Sequence, residues 1–499
     1  MKKSLSILLT IALLAGIFSV AGFAADVDYA IANPYESVDW SWKQYRADLH
    51  SHTNASDGNN TLAEMTAAHY AAGFDIVAVT DHGISDRGWL EGEHHDLPAL
   101  KVAVSIRGRG GSIEALKTEG ETPDGASYTV VKANDTEYYS ENGGREMMRV
   151  PFGIENNPSS LNNAHVCSWF AEYGDGRYGG TSDYITPIRN IQTLGGLSVI
   201  NHPGEYTGAR NEVYTSDAYN LKNIKYRYIV QKYAGLLINH DTCLGIDVNS
   251  KGDYRTRFDR KLWDILLSKV VPAGRNVYAL GTSDAHSADV VYTGFTMIPM
   301  SGLAPDAMKS ALANGAFFAA SKNLGNYDEL LEYETLLTAN GATTEMTAFG
   351  AEIHDITEKI AAELKEKDQG SKYTAPGDID APYVNRVTVD DEEDTITLET
   401  TGGMVVRWIA DGKTIATGGS IDLDDYSDEI GSYVRAEIFG KGGITYTQAF
   451  TLEYDGAPEP EGNGRYVDIW FLASIIPDSL VRLIAANPIW KLIWKLMQK

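Results

Sequence analysis

The sequence predicts an α/β domain followed by a small all-β domain, and three observations carry that prediction. Apolar strands alternate with amphipathic helices from about Tyr45 to Ser321; five of those strands run directly into His, Asp or Glu; and beyond Pro382 the pattern changes to short alternating strands. Strand, helix, strand with polar chemistry at each strand's carboxyl end is the layout of a β/α barrel or of an open α/β sheet.

Taken in order, Met1-Lys2-Lys3, the apolar run Leu5 to Val20 and the small residues Ala21 to Ala25 form the three parts of a secretory signal peptide. Residues 1–24 are expected to be removed, which puts the mature chain outside the cytoplasm, extracellular or in the cell envelope. Residues 25–44 are an aromatic lead-in. Tyr45 to Leu49 then alternates as a buried strand, and it delivers His50 and His52, which share a parity and so face one spot at the strand's end. Two imidazoles aimed at one point would repel if protonated, so a cation accounts for them. Asp48 and Asp57 flank them.

Thr61 to Ala72 has the spacing of a helix stopped by Gly73, with His69 on its packed side. Phe74 to Thr80 is an apolar strand of the buried parallel kind, ending in Asp81-His82-Gly83. Residues 84–147 break the rhythm as a long insertion, of the sort that shapes access to a site; His94 and His95 in it are read as solvent-exposed. The rhythm resumes with Met148 to Glu155, then Ala164-His165-Val166, a helix near Tyr184 to Leu194, and the strand Leu197 to Ile200 ending in Asn201-His202-Pro203. A helical stretch over Ala218 to Leu237, a strand Gly245 to Val248, a helix Phe258 to Val270 and a strand Val277 to Leu280 ending in Gly281-Thr-Ser-Asp284-Ala-His286 follow. Ala304 to Asn314 is a helix closed by Gly315.

Residues 323–381 read as an insertion or linker region, with Ile360 to Lys367 helical. Residues 382–454 alternate as strands of a small β-sandwich, with Asp411-Gly412 as a turn; the acidic run Asp390 to Asp394 reads as a solvated hairpin tip. Residues 455–465 are a linker, and the tail 466–499 is apolar with Lys491, Lys495 and Lys499 along one side. Pro477 and Pro488 interrupt it, so it is too broken to span a bilayer. An interfacial helix at a membrane or cell surface and docking onto protein both fit it.

The 499 residues suggest roughly two to four domains by length alone. A formal charge of −26 argues against binding a nucleic-acid backbone, but it leaves room for an anionic substrate if metal ions supply local positive charge. Two cysteines, Cys167 and Cys243, are too few for a disulfide scaffold. Nitrogen and oxygen donors together suit Zn, Mn or Fe(II) and exclude a purely calcium cage. Two such metals close together make hydroxide available near neutral pH and neutralise a phosphoryl group, so hydrolysis of a small-molecule phosphate ester is the favoured reaction. Hydrolysis of a carboxylic ester or carbamate uses the same chemistry, and a metal-bearing surface protein without catalysis stands as the third reading. An arginine is expected at a substrate phosphate, with Arg87, Arg145 and Arg149 near motif ends, and with Asn249 and Lys251 as further guesses.

Asp48-x-His50-x-His52 with Asp57, Thr80-Asp81-His82, Gly153-Ile-Glu155, His165, Asn201-His202-Pro203 and Ser283-Asp284-Ala-His286, in this order, resemble the PHP (polymerase and histidinol phosphatase) family of metal-dependent phosphoesterases. That resemblance covers residues 45–322 and implies a distorted (β/α)7 barrel with two or three divalent metals at the strands' carboxyl ends. It implies that His50, His52, Glu155 and Asp284 hold one metal, that Glu155 bridges to a second held by His165 and His202, and that Asp57, His82 and His286 hold the third. Asp48 and Asp81 would then orient imidazoles from behind, with Arg87 as a further catalytic group.

Overall fold

A computed structural model describes residues 27–92, 114–156, 165–176, 184–248, 250–251, 254–324, 327–367, 373–460 and residue 488. The signal peptide, His94, His95, Asn249 and all of the C-terminal tail but residue 488 lie outside the described residues. Among the described residues no helix is long and apolar enough to cross a membrane.

The first unit is strand Lys43–Ser51, helix Leu62–Ala71 and strand Ile76–Val79, with the two strands parallel (Ala47 opposite Ile76, Asp48 opposite Val77). The helix starts where it does because Thr61 and Glu64 satisfy each other's backbone N–H groups in a reciprocal cap, and it stops at Gly73 with φ +85°. Its inward face carries Leu62, Met65 and His69.

Strand Gly294–Met300 runs antiparallel to Lys43–Ser51, while Met147–Arg149 continues the parallel side beyond Ile76–Val79. A meander of Glu119–Glu121, Ser127–Ala133 and Thr136–Glu141, all within the insertion, extends that edge. A second sheet has the order Tyr278–Leu280, Cys243–Asp247, Leu197–Ile200, Val166–Trp169, Ile154–Asn156. Its first three strands are parallel, but Val166–Trp169 is antiparallel to both neighbours.

The protein is thus a mixed α/β fold with large sheets, and among the described residues no closed barrel forms. Among the described residues, two isolated parallel bridges, Ser51 to Ala285 and His82 to Glu155, join the strand ends of the two sheets. The ladder is interrupted at the positions where the backbone turns side chains inward. His82 and Asp284 lie just beyond their strands, Asp284 in the left-handed region at φ 47°, while Glu155 sits within Ile154–Asn156.

Residues 327–367 form two helices, Tyr327–Leu337 and Thr344–Lys367, where the sequence reads as a linker with only its end helical. The second packs back on the first, with His354 Nδ1 2.9 Å from Glu334 Oε1. The β-rich stretch is strand-built, and it does not stand apart. Tyr383–Asp390, Thr395–Thr401 and Ser420–Asp422 make a three-stranded sheet, while Tyr433–Gly440, Gly443–Tyr446 and Phe450–Glu453 join the large sheet through Phe318–Ser321.

A buried ion network fixes that junction. Glu437 takes Arg260 at 2.9 Å and Arg435 at 2.7 Å on one oxygen, and Arg407 and Tyr333 at 2.5 and 2.8 Å on the other. Arg435 also forks onto Asp264 at 2.7 and 2.8 Å. Gln448 completes the seam by pairing with both backbone groups of Ala279, in the strand that leads to Asp284. Cys167 and Cys243 are both buried free thiols.

Candidate metal centre

Strand Lys43–Ser51 brings His50 and His52 to one place, with their Nε2 atoms 3.1 Å apart. Bare nitrogens at that separation point to a shared target. Around them lie Glu155 Oε2, 3.4 Å from His50 and 3.3 Å from His52, and Asp284 Oδ1, 3.2 and 3.1 Å from the same two nitrogens. Glu155 is the hub: His82 Nδ1 stands 2.9 Å, His165 Nδ1 2.7 Å and His202 Nε2 3.2 Å from its oxygens. Asp57 Oδ1 gathers His286 at 3.3 Å, His82 at 3.5 Å and His52 at 3.8 Å.

All nine residues implied as ligands therefore converge, in four overlapping groups. These are His52, Asp57, His82 and His286; His50, His52 and Glu155; His50, His202 and Asp284; and His82, Glu155 and His165. The grouping differs from the one expected: His52 joins Asp57, His82 and His286, His82 takes the place of His202 beside Glu155 and His165, and Asp284 groups with His202. His202, at φ 25°, lies with His50 and Asp284 as well as near Glu155.

The donor atoms fit divalent ions. Glu155 Oε2 and Asp284 Oδ1 are buried without a hydrogen bond, as are Nδ1 of His50, His82 and His202, while Asp284 Oδ2 is in contact with Lys251. Buried carboxylate oxygens left so are costly unless a cation takes them. Burial opposes ionisation of Glu155, but His165, His82 and His50 outweigh it and hold its carboxyl well below the usual range. Burial, then Lys251, push His202 down to about 4, which keeps its imidazole neutral as a ligand must be.

No protein-family model matches this chain, and no curated protein does. Solved structures do resemble it. One is a two-domain protein from Bacteroides vulgatus containing a predicted PHP-like metal-dependent phosphoesterase, 13% identical, covering 83% of this chain and 88% of its own at a TM-score of 0.33. Others are the lesion-specific endonuclease EndoQ of Pyrococcus furiosus (12% identity, 54% of this chain, 56% of its own, TM-score 0.29) and PsfC of Pseudomonas syringae (12%, 54%, 87%, 0.30). Identities and TM-scores this low carry no functional weight. The likeness to PHP-type phosphoesterases rests on the sequence motifs, whose nine residues converge in the structure.

Behind this cage the roles shift from those expected. Asp48 does not hold an imidazole of the cage: it accepts from His69 Nε2 at 3.0 Å, from Ser283 N at 3.1 Å, from the Ser283 hydroxyl, and from His50 N at 3.2 Å. It thereby ties the strand carrying His50 to the loop carrying Asp284. Asp81 likewise binds the 53–56 loop, through Thr53 N at 2.9 Å, Thr53 Oγ1 at 2.5 Å and the Ser56 hydroxyl, whose oxygen is 3.5 Å from His52 Nδ1. The carboxylate nearest His50 Nδ1 from behind is Asp247, at 3.9 Å, itself held by Thr282 at 3.0 and 2.9 Å. Its one sequence signal is an acid inside the apolar strand Cys243–Asp247.

That 53–60 loop also explains Gly58. A Cβ there would lie 2.7 Å from the carbonyl oxygens of His52 and Thr53. Gly58→Ala is expected to push the neighbouring Asp57 out of line and weaken binding of a divalent ion about tenfold or more, read by calorimetry on chelator-stripped protein.

The arginines expected at a phosphate are occupied elsewhere. Arg87 pairs with Asp175 at 2.8 Å and Glu172 at 3.2 Å; Arg145 binds the carbonyls of Phe74 and Tyr70; Arg149 lies buried against Glu137 and Asp86. The cation at the cage is instead Lys251, which contacts Asp284 and stands 3.2 Å from Glu205 Oε2. Arg255 holds the other Glu205 oxygen at 2.6 Å.

The buried Asp86 has a measurable consequence. Burial, with Glu137 adding to it against the pull of Arg149, pushes its carboxyl up to about 6. A raised folded-state value favours the protonated form, so its contribution to stability is full below about pH 4 and is lost as pH rises through about 6. Asp86→Asn, uncharged throughout, should gain melting temperature relative to wild type between pH 5 and pH 7.5. An unchanged difference at the two pH values refutes this.

Proposed function

We propose that this chain is an exported hydrolase that cleaves phosphate esters in a PHP-type centre of two or three divalent metals. The convergence of six histidines and three carboxylates, with Glu155 Oε2 and Asp284 Oδ1 buried without a hydrogen bond, is the observation that carries this reading. His50, His52, Asp57, His82, Glu155, His165, His202, Asp284 and His286 would hold the ions. Ions so bound supply hydroxide near neutral pH and offset the charge of a phosphoryl group.

The chain's own contribution is to keep that cage rigid and mostly dry. Asp48 and Asp81 lock the loops on either side of His50 and His52. Lys251 and Arg255, gathered on Glu205, add positive charge beside Asp284 and suit an anionic substrate. Arg87 is left out of the catalytic set on this reading, because two carboxylates hold it. The same reading takes the two sheets as a distorted (β/α)7 barrel, supported by the Ser51–Ala285 and His82–Glu155 bridges. Residues 1–24 serve as its export signal.

The test is purified mature protein offered aryl phosphomonoester, phosphodiester and carboxyl-ester substrates, with and without Mn or Zn. Metal-dependent turnover of a phosphate ester supports the reading. Turnover of the carboxyl ester alone moves the assignment to the ester or carbamate alternative, and no turnover with metal bound leaves a binding protein.

A further inference from the structure

The cage is closed on one side and open on the other. The side chains of His50, His52, Glu155, His202 and Asp284 are at most 1% exposed, whereas His82, His165, Asp57 and His286 reach 10, 12, 15 and 28%. A substrate therefore enters across the rim formed by His286, Asp57, His165 and His82, with its reacting group inward and its remainder pointing out.

Tyr206 stands on that rim. It belongs to the short helix Gly204–Thr207 directly after His202, and its ring packs on His165 with centroids 4.7 Å apart and on His202 at 5.6 Å. Its hydroxyl oxygen is 3.1 Å from His165 Nε2. The other ring nitrogen, Nδ1, is the one aimed at Glu155, 2.7 Å away, and so at the shared ligand position. A neutral imidazole that ligates through Nδ1 carries its proton on Nε2. His165 Nε2–H then donates to the Tyr206 oxygen, and the phenol's own hydrogen is directed elsewhere. Among the described residues no acceptor other than the His165 ring lies within hydrogen-bond distance of that hydroxyl.

Resting on the phosphoesterase reading, we propose that Tyr206 contacts the substrate, donating a hydrogen bond to the leaving oxygen of a phosphate ester whose leaving group is a basic alkoxide. The phosphoryl oxygens face the interior of the cage, so the oxygen that meets a group on the rim is the one joining phosphorus to the outward remainder. A donor at that oxygen counts most where the leaving group develops the most charge. The substrate class this fits is an alkyl phosphate rather than an aryl one. Nothing in the sequence pattern points to Tyr206 beyond its place four residues after His202.

The experiment is a series of phosphate monoesters from 4-nitrophenyl to simple alkyl, hydrolysed by metal-loaded wild type and Tyr206→Phe, with metal content measured for both. The expected result is a loss of about 10- to 100-fold for alkyl esters in the variant, a change within about twofold for 4-nitrophenyl phosphate, and equal metal content. A loss of the same factor across the series, or one accounted for by lost metal, makes Tyr206 a support for His165 and overturns the proposal. Should wild type hydrolyse no phosphate ester at all, the parent reading fails and takes this inference with it.

Discussion

Glu155→Ala is expected to strip metal from the protein and lower hydrolysis by at least about a hundredfold, the lower figure being what loss of a mere outer partner of a ligand costs. Glu155 belongs to two of the four convergent groups and touches His50, His52, His82, His165 and His202. Without it the group of His82 and His165 keeps only nitrogen donors, which would repel one another once protonated. His52→Ala, which also removes a member of two groups, should follow it. Elemental analysis after gel filtration, paired with aryl phosphate turnover, checks both; full activity in both variants would show that the chemistry resides elsewhere.

The second large effect falls on stability, far from the cage. Glu437→Gln removes the one carboxylate that Arg260, Arg407 and Arg435 share, in a site where Glu437, Arg407 and Arg435 are essentially fully buried. Breaking a buried pair by deleting one partner costs about 3–5 kcal/mol, since the charges left behind stay out of water. Burial opposes ionisation of Glu437, but Arg260, Arg407 and Arg435 overcome it and hold its carboxyl well below the usual range. The stability it confers is therefore present above about pH 4.5 and is lost as pH falls below that. Urea unfolding at pH 7 should show the deficit, and it should shrink toward acid pH. A variant as stable as wild type at pH 7 would mean that the network contributes nothing net.

Most of the nine clustered residues were legible in the sequence because they follow apolar strands closely, as His52, His82, His202 and Asp284 do; His165, which immediately precedes the strand Val166–Trp169, was legible only through its place in the motif order. Their grouping was less legible. His202 groups with His50 and Asp284, a pairing that no spacing encodes. The roles of Asp48 and Asp81 were half legible. Acids beside ligating histidines suggested contact with imidazoles, whereas the shorter path for both was to backbone and hydroxyl groups of the neighbouring loops.

Lys251, Asp247 and Tyr206 approach the cage only because strands far apart in the chain lie side by side. Arg87, close in sequence to His82, is drawn off by Asp175 and Glu172. The β-rich stretch 382–454 showed its strands through alternation, but alternation carries no information about partners. Its union with Phe318–Ser321 depends on Gly443, whose φ of +124° and close approach to the Ser321 carbonyl leave no room for a side chain.

The most direct test of the central claim is a crystal structure of the mature protein grown with Mn or Zn, with anomalous scattering recorded at the metal's absorption edge. The account predicts anomalous peaks, two or three of them, each ligated by members of the four groups and with Glu155 bound to more than one. Peaks confined to surface carboxylates, with His50, Glu155 and Asp284 bearing none, would contradict it.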